Sequence, residues 1–252
     1  MAGKHDEIRG KMRKMERGIE EKKDEIKGKK RLGRIVPPAM RLPIALALIV
    51  NMIAYYGTRL IAGDFYHYDL TTGFDERIPV IPWTIVIYWG CYLYWVVNYV
   101  IGSRQKAEKA YRFFAADFFA KVVCLIVFLV FPTTNVRPEL TGNGVFTELM
   151  RALYAVDAAD NLFPSIHCLT SWFCYIAVRD NEKISPAYRW ISFLITLFIC
   201  LSTLTTKQHV IADAAGGIIL AEGSYLLAGH TKFGGWYQKW VGKIEEFISK
   251  KD

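Results

Sequence analysis

The chain contains no CxxC pair and no cysteine–histidine spacing of the zinc-site kind, although it has 5 Cys and 5 His. That absence argues against a structural metal. Cys91, Cys124, Cys168, Cys174 and Cys200 all fall inside apolar blocks, where a free thiol behaves as a small hydrophobe. No carboxylate cluster suited to Mg²⁺ is present either, so neither a metal nor any other cofactor is expected. No small-residue cleavage pattern follows the first apolar block, and a long charged tract precedes it, so that block is not a removable signal peptide. Internal repeats are missing too, as are paired, interrupted hydrophobic segments of the kind that build secondary transporters.

What the sequence does have is long apolar blocks. A hydrocarbon core about 30 Å thick takes roughly 20 residues of helix to cross, and about six stretches approach that length. They run over 40–61, 81–102, 114–133, 162–178, 188–206 and 208–228, the fourth being the shortest. The fold class is therefore all-α, a polytopic membrane protein of about six transmembrane helices.

The net charge of +8 could suggest a nucleic-acid partner, but its placement favours membrane lipids. With a cytoplasmic N-terminus, Lys and Arg gather in the inner segments: Arg104, Lys106, Lys109 and Arg112 in one loop, Arg179, Lys183 and Arg189 in another. Lys232, Lys239, Lys243, Lys250 and Lys251 place the tail on the same side. Loops 62–80 and 134–161 are acidic, with Asp64, Asp69, Asp75 and Glu76 in the first and Glu139, Glu148, Asp157 and Asp160 in the second. Both termini are then expected inside a plasma or bacterial inner membrane, against anionic headgroups.

Three regions follow: a charged extension over 1–36, a membrane domain over 37–230 and a basic tail over 231–252. In the extension Ile8, Met12, Met15, Ile19 and Ile26 form a heptad-like stripe, which reads as an amphipathic helix on the inner leaflet, a self-pairing coil or a solvated arm. A homo-oligomer through that helix or the membrane helices stays open. Pro37, Pro38 and Pro43 are expected to break any helix before the first span. In loop 134–161 Phe146, Leu149, Met150, Leu153 and Val156 fall at helical spacing, which predicts a short interfacial helix.

Ionisable groups near membrane spans are costly, so each is a functional candidate. Three clusters qualify: Arg137-Pro138 beyond the third block, Pro164-Ser165-Ile166-His167 at the start of the fourth, and Ser202 through His209 to Asp213 at the junction of the last two. The alternating topology brings all three to one side. His209 and Asp213, spaced i, i+4, share a helix face, so the carboxylate can hold one imidazole nitrogen and leave the other as a nucleophile.

These clusters resemble the signatures KxxxxxxRP, PSGH and SRxxxxxHxxxD of the type 2 phosphatidic acid phosphatase superfamily, over roughly residues 120–225. Ile166 replaces a Gly, Val130 stands where the first signature has Lys, and Thr203 where the third has Arg. The Phe-Pro-Ser-Ile-His form is also similar to the inositol phosphorylceramide synthase branch. The resemblance implies a metal-independent lipid phosphatase with His209 as nucleophile, Asp213 as its orienter and His167 as acid and base. Arg137, Lys207 and Ser165 would then bind the phosphate, Lys207 standing in for the lost cations. A lipid headgroup phosphotransferase is the alternative, and a non-enzymatic transporter, which would carry charges at mid-membrane depth, the second.

Other polar residues have structural explanations. Asp117 and Lys121, one turn apart, suit an ion pair, and Glu222 a hydrogen-bonded role. His5, His67 and His230 read as solvated or interfacial.

Overall fold

The computed structural model describes residues 35–250, so the expected helix over residues 1–34 lies outside the described residues. The chain divides into two compact units, Met1–Arg41 and Leu42–Asp252. The described part of the first holds one 3-10 turn, Pro38–Met40, with Pro37 ahead of it in an extended conformation.

The second unit is almost wholly helical. Its helices are α1 (Arg41–Met52), continued by a π-turn at Ile53–Gly57 into α2 (Thr58–Ala62), then α3 (Gly73–Arg77), α4 (Ile85–Ser103) and α5 (Ala107–Val130). There follow α6 (Val145–Val156), α7 (Ile166–Arg179), α8 (Pro186–Thr205), α9 (Ile211–His230) and α10 (Phe233–Ser249). One short parallel ladder, β1 (Tyr68–Asp69) on β2 (Thr133–Thr134), ties two loops together. Pro43 does not break α1: it sits in the first turn, where a backbone N–H would lack a helical partner anyway.

Among the described residues, five stretches are long and apolar enough to cross a membrane: Pro38–Ala62, Pro82–Ser103, Ala107–Val130, Pro186–Thr205 and Ile211–His230. The fourth of the expected blocks forms α7, which with 14 residues is shorter than these five. Its surroundings explain the weak signal. α7 is packed against α4, α5, α8 and α9, and its buried residues include Thr170 and Ser171 beside Leu169, Phe173 and Ile176. A helix enclosed by protein has no need of the continuous apolar surface that lipid demands.

Small residues set the closest approach. A Cβ on Gly217 would lie 2.4 Å from the Ser165 carbonyl oxygen, and one on Gly216 2.5 Å from the Phe163 ring. Only glycine lets α9 press this closely on the start of α7. There the Ser165 amide donates to the Asp213 carbonyl oxygen at 3.0 Å, joining two of the three sequence clusters through the backbone.

The polar pairs expected from sequence are present. Lys121 Nζ meets Asp117 Oδ2 at 2.9 Å in the core, and the Tyr99 hydroxyl donates to Asp117 Oδ1 at 2.6 Å. Arg179 forks onto both oxygens of Glu222 at 2.7 Å, and Trp172 Nε1 donates to Glu222 at 2.8 Å. All five cysteines are buried and free. α6 forms as the spacing predicts, with Met150 and Leu153 packed on Ile85 and Tyr88, although Phe146 and Val156 remain exposed. The basic tail proves to be largely helical: α10 buries Gly234, Tyr237 and Val241 and lies along α5.

Candidate active site

His209 sits in the tight connection between α8 and α9, and the local backbone explains its placement. The amides of Gln208 and His209 both donate to the Thr203 carbonyl oxygen, at 2.9 and 3.1 Å. Lys207 takes φ +54°, the left-handed conformation that turns the chain, and Asn135 Nδ2 holds its carbonyl at 3.1 Å. The Tyr154 hydroxyl holds the Thr206 carbonyl at 2.9 Å. His209 Nδ1 then lies 3.3 Å from Asp213 Oδ2, which also accepts the Val210 amide at 3.0 Å. Asp213 therefore caps α9 and orients the imidazole at once. With Nδ1–H donating to Asp213, Nε2 keeps its lone pair.

His167 enters from the first turn of α7. Its ring stacks on Tyr88 at 4.6 Å between centroids and is flanked by Trp95 at 5.4 Å, which fixes its plane. The two imidazoles are 5.9 Å apart, centroid to centroid, and both line a cavity of about 300 Å³. Arg137 lines the same cavity and is the only Lys or Arg among its described lining residues. It donates to the carbonyl oxygen of Asp157 and, at 2.7 Å, to Gln208 Oε1, and lies over the Tyr154 ring.

Three atoms on these lining residues are buried without a hydrogen-bond partner: Arg137 Nε, His167 Nε2 and Gln208 Nε2. Buried polar atoms left unpaired are costly, and all three belong to residues that line the cavity. Gln208 was not singled out in the sequence; its position next to His209 was the only signal.

Two expected phosphate ligands are not brought to the cavity. Lys207 Nζ donates to the Asp75 carbonyl oxygen at 2.7 Å, and Ser165 Oγ accepts the Cys168 amide at 3.3 Å as the N-cap of α7. Neither residue lines the cavity. The motif positions that lost their cations have no charge in them: Val130 is exposed at the end of α5, and Thr203 is buried with its hydroxyl on the Cys200 carbonyl.

Asp75 was missed for a different reason, since it read as one acidic loop residue among four. Its Oδ1 accepts the Ile211 amide at 2.7 Å, so loop 68–77 clamps the start of α9. Asp75→Ala is expected to lower unfolding stability by about 1–3 kcal/mol through loss of charge-assisted bonds. Lys207→Met should leave KM for a phosphate substrate within about threefold of wild type, since its ammonium serves the clamp. A direct phosphate ligand would instead raise KM by about tenfold or more. Steady-state kinetics and thermal unfolding of the two variants check both statements.

Two histidines and a guanidinium line one cavity, with Asp213 behind His209, in a bundle of apolar helices, an arrangement suited to phosphoester chemistry. A family model described as the PAP2 superfamily matches residues 69–227, and the chain belongs to that superfamily. The match begins at β1, so it takes in the Asp75 clamp and α4 as well as the three clusters. No curated protein and no solved structure matches the chain.

Proposed function

We propose that the protein is a lipid phosphoester hydrolase working through a phosphohistidine on His209, with its site on the outer face of the membrane. The observation that carries this reading is the shared cavity of His209, His167 and Arg137. In the first step His209 Nε2 forms a bond to phosphorus, the phosphorus–oxygen bond to the lipid breaks, and His167 gives a proton to the departing oxygen. In the second, His167 takes a proton from water as that oxygen attacks phosphorus, which returns His209 with its lone pair. Arg137 and the Gln208 amide neutralise or bond the equatorial oxygens where charge develops. Every step is accounted for by side chains of this chain.

Transfer to a second lipid would use the same residues, with an acceptor hydroxyl in place of water. The test is incubation of purified protein with a panel of lipid phosphates, with and without acceptor lipids, in the presence of chelator. Release of free phosphate is the expected result. New phospholipid without free phosphate would assign the protein to transfer, and activity lost in EDTA and restored by Mg²⁺ would overturn the metal-free mechanism.

A further inference from the structure

We propose that the cavity selects phosphoesters bearing an ammonium group two carbons from the ester oxygen, held among Tyr55, Tyr92, Trp95 and the Asp157 carboxylate. The inference rests on the phosphoester reading of the same site and names its substrate class.

The cavity lining combines two kinds of chemistry. The two histidines, Arg137 and Gln208 are suited to phosphate. Beside them the π-turn after α1 supplies Tyr55 and Tyr56, and α4 supplies Trp89, Tyr92 and Trp95, the last two 6.3 and 5.4 Å from the His167 ring between centroids. Tyr92 meets Trp95 edge-on at 5.1 Å and Tyr55 meets Tyr56 edge-on at 4.9 Å, so rings with different orientations surround one space. Several aromatic faces around a cavity form the usual receptor for a quaternary or primary ammonium, whose charge the ring quadrupoles attract.

Asp157 supplies the second observation. The Tyr55 and Tyr88 hydroxyls donate to its two carboxylate oxygens, yet it has no ion-pair partner among the described residues. Asp160, also on the cavity, is already paired with Arg59 at 2.7 Å. Burial, with His209 opposing and Asp160 adding to it, pushes the Asp157 carboxyl up to about 6. A half-buried carboxylate without a cation repels a plain phosphate dianion and is complementary to a zwitterion. Arg137 donates to the backbone carbonyl of Asp157, so the cation suited to phosphate is tied to the residue that carries the carboxylate. Tyr88 connects Asp157 to His167, donating to the carboxylate of the first and stacking on the ring of the second. A neutral polyol headgroup would leave that carboxylate without its counter-charge.

A matched soluble pair isolates the effect: phosphocholine and 3,3-dimethylbutyl phosphate, in which carbon replaces nitrogen. Calorimetric titration of the full chain in detergent is expected to show phosphocholine binding about tenfold or more tightly. Asp157→Asn and Tyr92→Leu should each bring the ratio towards one, and Asp157→Glu should keep most of it. Equal affinities in the wild type would overturn the proposal. So would an unaltered ratio in both Asp157→Asn and Tyr92→Leu. Turnover of nitrophenyl phosphate and labelling of His209 need no ammonium, so their loss would count against the phosphoester reading instead. Two lipid arms separate the sources: phosphatidylethanolamine against its N-acetyl derivative, and sphingosine phosphate against its N-acetyl derivative. Faster consumption of the free amine in one pair identifies that source, and equal consumption in both overturns the selectivity.

Discussion

Replacing His209 by alanine is expected to lower turnover by at least about 10⁴-fold, since no covalent intermediate can then form. The imidazole is the only nucleophile on the cavity held by a dedicated carboxylate, with Nδ1 3.3 Å from Asp213 Oδ2. Asp213→Asn should retain more activity, because the nucleophile is present and only its tautomer and orientation are lost; a fall on the order of 10²–10⁴ is expected. Part of that loss will be structural. Asp213 also accepts the Val210 amide, so the variant loosens the start of α9, and thermal unfolding measured alongside separates the two effects. Quenching a reaction with labelled substrate and mapping acid-labile, base-stable phosphate should place it on His209. Label on any other residue, or near-normal turnover of His209→Ala, would sink the mechanism.

The residues behind that prediction could be read from the chain because their geometry is local. The shared helix face expected for His209 and Asp213 is corrected: His209 precedes α9, and the pair meets because Asp213, capping the helix start through the Val210 amide, also reaches the imidazole. His167 and Arg137 required only that alternating spans put their loops on one side, and the cavity contains both. Lys207 shows the limit of such reasoning. Proximity in sequence to His209 suggested a phosphate ligand, yet the left-handed turn at Lys207 sends its side chain to Asp75, 132 residues earlier. Nothing in the spacing of either residue foretold that contact. The aromatic wall was hidden for a related reason. Tyr55, Tyr92 and Trp95 lie in apolar blocks, where rings read as lipid-facing or as interfacial anchors, and only packing shows that they line a cavity. α7 was the converse case. Its shortness looked like weakness in the span assignment and turned out to mark the helix most enclosed by others.

His167→Ala should give a defect that depends on the leaving group, and this is the sharpest discrimination available between an acid–base role and a structural one. His167 is held by stacking on Tyr88 and by Trp95, with Nε2 buried and without a partner, so its removal takes away a proton donor and not a brace in a hydrogen-bond network. For an alkyl phosphate, whose alkoxide must be protonated as it departs, turnover is expected to fall by about 10²–10⁴-fold. For nitrophenyl phosphate, whose anion leaves unaided, the first step should be partly restored. The second step still needs a base to take the proton from water, so phosphoenzyme should accumulate where the wild type shows none. Rapid-quench measurement of the label on the two substrates reads both steps. A uniform loss on the two substrates, with no accumulating label, would show that the alanine had disturbed the cavity rather than removed an acid. The two predictions then check each other, because phosphate trapped in His167→Ala has to disappear in the double variant that also lacks His209.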